Sequence, residues 1–299
     1  MYYFLTLLSG ILVSVMIAVN GILKQEYGVY SAAVIIHIAG SALSLIIVLN
    51  RHDLKLLFSK FHAWYLYLGG AIGVFTTVWI GMAFGRISVS AILALGLFGQ
   101  SAAGLIVDQY GWLGMPRHPF NKRKIIGLFL ILAGIASMIT DFEIIAVLVA
   151  FAAGVSIVVS RTLNARIAEL TSVRISTLYN HIIGLAIAVF VLFLLGRNEV
   201  GFTQFYISPR LYIYFGGILG VFTVILSNMT VARVPAFYLT LIIFSGQVFS
   251  GIIIDIMISG AFSHQNLIGG LLVTTGLCAN LLLDRKKAPA SSCRSAPAD

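Results

Sequence analysis

Ten stretches of roughly twenty residues, each nearly free of charge, alternate with short polar joints along this chain. They fall at approximately 3–24, 29–49, 63–83, 88–109, 123–140, 143–163, 173–196, 209–230, 234–258 and 265–284. A helix needs about 20 mostly apolar residues to cross the hydrocarbon core of a bilayer. The runs are too long and continuous for buried helices of a soluble domain, and they lack the alternation of barrel strands. The pattern predicts an all-α polytopic membrane protein with ten transmembrane helices. The first run reads as a retained helix, because Met1 to Leu5 carry no lysine or arginine and no small-residue cleavage site follows.

The polar positions inside the runs recur. Gln100, Gly104 and Asp108 read Q-x-x-x-G-x-x-x-D, and Gln247, Gly251 and Asp255 read the same at an offset of 147. That offset also carries Tyr65, Gly69, Gly70, Gly73, Phe75 and Thr76 onto Tyr212, Gly216, Gly217, Gly220, Phe222 and Thr223. An offset of 144 carries Asn20, His37 and Gly40 onto Asn164, His181 and Gly184, and one of 142 carries Gly127 and Gly134 onto Gly269 and Gly276. Five helices per copy is an odd number, so the second copy enters the membrane from the opposite side. The expected organisation is a first five-helix repeat over 1–140, an inverted second repeat over 141–287 and a disordered tail over 288–299.

Charge placement supports the inversion. Only 10% of residues are charged against 60% hydrophobic, with a mean hydropathy of +1.02. The net charge is +9, yet its distribution argues for topology and against a nucleic-acid partner. With ten spans, fifteen of the nineteen lysines and arginines fall on the side that holds both termini, which makes that side cytoplasmic. The connection Met115 to Lys124 is basic, whereas its mate, Ser259 to Asn266, has no lysine or arginine. Inverted copies need this opposition to obey one orientation rule. Cys278 and Cys293 form no disulfide framework or metal site, and no cofactor is expected.

Several side chains could carry chemistry. Asp108 and Asp255 each share a helical face with their Gln and Gly. A carboxylate in hydrocarbon costs about 2.5–3.5 kcal/mol or more, so each reads either as a coupling-ion or substrate ligand, or as a cap or ion-pair partner near a helix end. His37 and His181 suit a proton relay or a polar substrate contact, or else close packing on the H-x-x-G face, with Asn180 beside the second. Gln100 and Gln247 sit deeper and need partners, either substrate or neighbouring helix. Asn20 and Asn164 read as helix terminators or as substrate contacts. Arg161, whose repeat-mate is Ile17, reads as snorkelling to water; facing a cavity, it would favour an anionic or carboxylated substrate. Trp79, opposite Leu226, is either a cavity wall or a packing residue. No phosphate-cradling loop, nucleophile elbow or metal cluster stands out, so neither a primary pump nor an enzyme is expected.

Leu68-Gly69-Gly70, Gly73-Val74-Phe75 and the twice-occurring G-Q-x-x-x-G-x-x-x-D element resemble the bacterial YdcZ-type branch of the drug/metabolite transporter superfamily. Members of that branch are often single five-helix proteins, and this chain looks like a fused tandem of two over about residues 8–284. The resemblance implies a permease with its cavity between helices one to four and six to nine, and with helices five and ten peripheral. Related small multidrug transporters bind cations through a glutamate in the first helix; Leu5 to Gly21 contains no acid here. The expected function is secondary active export of a small polar or amphipathic metabolite across the bacterial inner membrane by alternating access. Coupling is expected to H+ before Na+. An uptake permease for a nutrient or vitamin is the alternative, with a non-transporting receptor or assembly protein behind it. A monomer suffices, and a homodimer through the peripheral helices is the other possibility.

Overall fold

The computed structural model describes residues 2–49, 63–110, 124–139, 143–204, 206–231 and 236–285. The basic connection at 115–123, the Asp141 joint and the tail at 288–299 lie outside the described residues, as does the side chain of Asp108. Among the described residues there are ten long helices: α1 (Tyr2–Tyr27), α2 (Val29–Val48), α3 (Leu68–Ala83), α4 (Val89–Tyr110) and α5 (Lys124–Met138), then α6 (Ile144–Leu170), α7 (Val173–Leu195), α8 (Gly216–Val231), α9 (Ala236–Ser259) and α10 (His264–Arg285). Seven helical segments among the described residues are long and apolar enough to cross a membrane, and Ile125–Met138 and Leu211–Leu226 are apolar but shorter. Large apolar side chains such as Phe4, Ile46, Phe129, Leu148, Phe190 and Met257 are exposed on the outside, as lipid-facing residues should be.

The helices meet in pairs that the repeat exchanges. Helix α1 packs on α9 as α6 packs on α4, α3 packs on α6 as α8 packs on α1, and α3 meets α7 as α8 meets α2. The self-matched pairs α2–α7, α4–α9 and α5–α10 fall on the pseudo-two-fold axis. Even the entries to the third helices match: a 3-10 turn at Trp64–Tyr67 leads into α3, and one at Leu211–Phe215 leads into α8. Helix α5 packs chiefly on α10, which sets this pair at the edge of the bundle.

Small residues make the exchange possible, since helices in lipid associate by close packing. A Cβ on Gly154 of α6 would strike the carbonyl oxygen of Gly96 on α4; one on Gly10 of α1 would strike that of Ile243 on α9. These are repeat-mates touching repeat-mates. Backbone cannot swing aside as a flexible side chain can, so Gly154→Ala should cost about 1–3 kcal/mol. Gly96→Ala is the control, because a Cβ there meets nothing within 4 Å. Thermal unfolding in detergent should separate the two; equal stability would mean that the α4–α6 approach is looser than drawn.

Helix starts show how the copies have diverged. Ser172 caps α7 itself, its hydroxyl accepting from the Ile175 amide at 3.2 Å. The mate, Gly28, adopts φ 99°, a left-handed conformation suited to glycine, and brings no side chain. The Glu199 carboxylate takes its place, accepting from the amides of Tyr30 at 3.0 Å and Ser31 at 2.8 Å and from the Ser31 hydroxyl at 2.9 Å.

Candidate functional site

Two adjoining cavity lobes, which share wall residues, lie between α1–α4 and α6–α9. The first lobe, about 240 Å³, is bordered by residues including Ile17, Asn20, Ala32, Ile36, Gln100 and Gln247. The second, about 310 Å³, is bordered by residues including Ser160, Asn164, Ser176, Asn180 and His181. Met16, Thr76, Ile157, Arg161 and Thr223 border both and mark where the lobes join. Equivalent residues of the two repeats therefore face one space: Gln100 with Gln247, Thr76 with Thr223, and Ile17 with Arg161.

Asn20 and Asn164 do not terminate helices. Helix α1 runs on to Tyr27 and α6 to Leu170, so both asparagines stand inside their helices on the cavity wall. Each amide oxygen nests against a glycine of the partner repeat, Asn164 on Gly69 and Asn20 on Gly216. A missing Cβ lets the amide in. Asn164 Nδ2 donates to Asn180 Oδ1 at 2.8 Å and to Ser160 Oγ at 3.3 Å, which ties the polar wall of the second lobe together. Asn20 Oδ1 is buried without a partner among the described residues.

Arg161 stands nine residues before the end of α6, its side chain is exposed, and it borders both lobes. Among the described residues it has no hydrogen-bond or ion-pair partner. Lys24, the other cation on the wall, donates to the Phe84 carbonyl at 3.3 Å at the far end of the first lobe. No aspartate or glutamate borders either lobe among the described residues.

Asp255 sits elsewhere. It borders a separate cavity with Arg86, Ser88 and Asn266, and its carboxylate caps α4. The carboxylate accepts from the Val89 amide at 2.6 Å, the Ser90 amide at 3.0 Å and the Ser90 hydroxyl at 2.6 Å, with Asn266 Nδ2 at 3.4 Å. The four free amides at a helix start and its positive dipole end account for this placement.

The histidines meet edge to face near the pseudo-two-fold axis, ring centroids 6.0 Å apart. Each packs on the other's glycine, His37 on Gly184 and His181 on Gly40. His37 Nδ1 donates to the Ala33 carbonyl at 2.7 Å, which fixes its tautomer. His181 borders the second lobe, and its Nδ1 has no partner among the described residues. Trp79 is not among the cavity residues; it packs against the exposed ring of Phe75, with centroids 6.0 Å apart.

Sequence reasoning missed Thr76, Thr223, Ser160 and Ser176 as wall residues, and Glu199 as a cap. A column-by-column comparison of the repeats would have found two of them, because Ser160 stands opposite Met16 and Ser176 opposite Ala32.

No curated protein matches the chain in sequence. One solved structure superposes with a TM-score of 0.61 at 15% identity, covering 94% of this chain and 98% of its own, a likeness of fold. A family profile described as "Putative inner membrane exporter, YdcZ", of the drug/metabolite transporter type, matches residues 1–137 and again 145–279. The profile is used twice, once for each half of the helical array, and the chain belongs to this YdcZ family of inner-membrane exporters as a tandem of two units.

Proposed function

We propose that the chain is a secondary active transporter that moves a small polar or amphipathic metabolite out of the cell by alternating access. The carrying observation is the pair of adjoining lobes onto which repeat-mates from both halves converge, since inverted-repeat transporters place their sites where the repeats meet. Export is supported by the family description, and the charge bias of the loops supports cytoplasmic termini. Asp255 serves the start of α4, and among the described wall residues His181 is the imidazole suited to proton coupling, with the Asp108 side chain outside the described residues. The repeats at 1–140 and 141–287 would rock against each other around this site, and one chain holds both, so a monomer suffices.

The test uses a plug. Gly96 borders the first lobe, and a Cβ there meets nothing within 4 Å. Gly96→Phe should fill the lobe and leave the fold intact. Proteoliposomes loaded with a bacterial metabolite extract, with mass spectrometry of what leaves, should show one or a few small metabolites lost faster through the wild type than through Gly96→Phe. A pH gradient should alter that rate in the wild type and not in His181→Gln. Identical profiles for wild type and Gly96→Phe would remove the transport reading.

A further inference from the structure

The two repeats build unlike halves of the cavity from equivalent places. Where the first repeat presents Met16, Ile17, Ala32 and Ile36, the second presents Ser160, Arg161, Ser176 and Asn180 at an offset of 144. Duplicated copies begin alike, so this is divergence along one wall. It leaves an apolar patch of Ile17, Ala32 and Ile36 in the first lobe, beside Asn20, Gln100 and Gln247, and a polar run of Ser160, Asn164, Ser176 and Asn180 in the second.

Arg161 stands at the junction with its guanidinium unanswered. A cation on a cavity wall attracts a counter-charge, and no carboxylate among the described residues borders either lobe. The charge must then come from what enters the cavity. A single guanidinium flanked by neutral hydroxyls and amides matches one negative charge with two coplanar oxygens, whereas a dianion would bring a second charge with nothing beside it. In the first lobe next door, Ile17, Ala32 and Ile36 form an apolar patch that would take an apolar body, with Asn20, Gln100 and Gln247 on the same wall. Building on the transport reading, we propose that the substrate is a small amphipathic monocarboxylate, its carboxylate on Arg161 at the edge of the polar lobe and its apolar body in the first lobe.

Phenylacetate, phenylacetamide and phenethylamine share one body and differ in head charge, and phenyl phosphate adds the dianion. Each is added to the purified full chain in detergent, and the shift in unfolding temperature is titrated. The expected order is stabilisation by phenylacetate, less by phenyl phosphate, and none by the amide or amine. Affinity for phenylacetate should fall about tenfold or more in Arg161→Ile, the loss of a charge-assisted pair, and less in Arg161→Lys. Arg161→Ile installs the residue that the first repeat already carries at this place, so the variant should fold. Preference for the amine or amide, equal affinity in Arg161→Ile, or no stabilisation by phenylacetate would overturn the carboxylate assignment and leave transport standing. Counterflow of labelled phenylacetate in proteoliposomes separates the two readings. Binding that depends on Arg161 without exchange would keep the anion site and remove the transport reading.

Discussion

Asp255→Ala lowers the unfolding temperature by several degrees, a larger loss than either single-glycine change or any surface substitution. The carboxylate answers two backbone amides and one hydroxyl at the start of α4, and Asn266 approaches it from α10. Hydrogen bonds to a charged group contribute about 1.5–3 kcal/mol each, and their partners cannot turn to water inside the bundle. These bonds are not additive, so the expected loss is about 3 kcal/mol, above the upper end of an ordinary capping residue. Asp255→Asn keeps one carbonyl oxygen but points an amide group toward other donors, and should lose roughly half as much. Thermal unfolding in detergent reads both variants, with metabolite export measured on the same preparations. If Asp255→Ala unfolded like the wild type while its pH-dependent export disappeared, Asp255 would be a coupling group and its role at α4 incidental.

Helix positions were legible because the membrane enforces a length: the apolar runs and the observed helices agree within a few residues at most ends. The exceptions are instructive. Helices α1 and α6 overrun their predicted ends through 25–27 and 164–170, where polar side chains suggested a stop. Of those polar groups Asn164 borders the cavity, whereas Arg166 and Glu169 pair with each other on the exposed surface. Asp255 was recognised as out of place in hydrocarbon, but its partner was invisible, since Val89 and Ser90 lie 166 and 165 residues away in sequence. Glu199 was passed over for the same reason, its amide partners lying on α2. Arg161 was singled out by its mismatch with Ile17, but the wall it shares with Thr76 and Thr223 was invisible, since those lie on α3 and α8. Repeat symmetry located the cavity. Departures from that symmetry give it chemical character.

Arg161→Ile should raise the stability of the unliganded protein. An arginine at the middle of a membrane helix costs about 2.5–3.5 kcal/mol on insertion scales, and water or an ion pair usually relieves part of it. Here no ion pair is present among the described residues, and only the cavity offers hydration. Isoleucine already occupies the equivalent place on α1, where Ile17 is buried, so the α6 backbone should accept it. The expected gain is about 1–3 kcal/mol, less than the full insertion figure because cavity water solvates the guanidinium. Binding residues held against the stability of the fold show this opposition between stability and function. Unfolding by heat or graded SDS without ligand measures it, and Arg161→Lys should stay near the wild type. The reverse change, Ile17→Arg, should destabilise, since it adds a third cation to a wall that already carries Lys24 and Arg161. A fall in stability for Arg161→Ile would mean that the guanidinium fastens helices together, and the substrate would lose its counter-charge in the membrane.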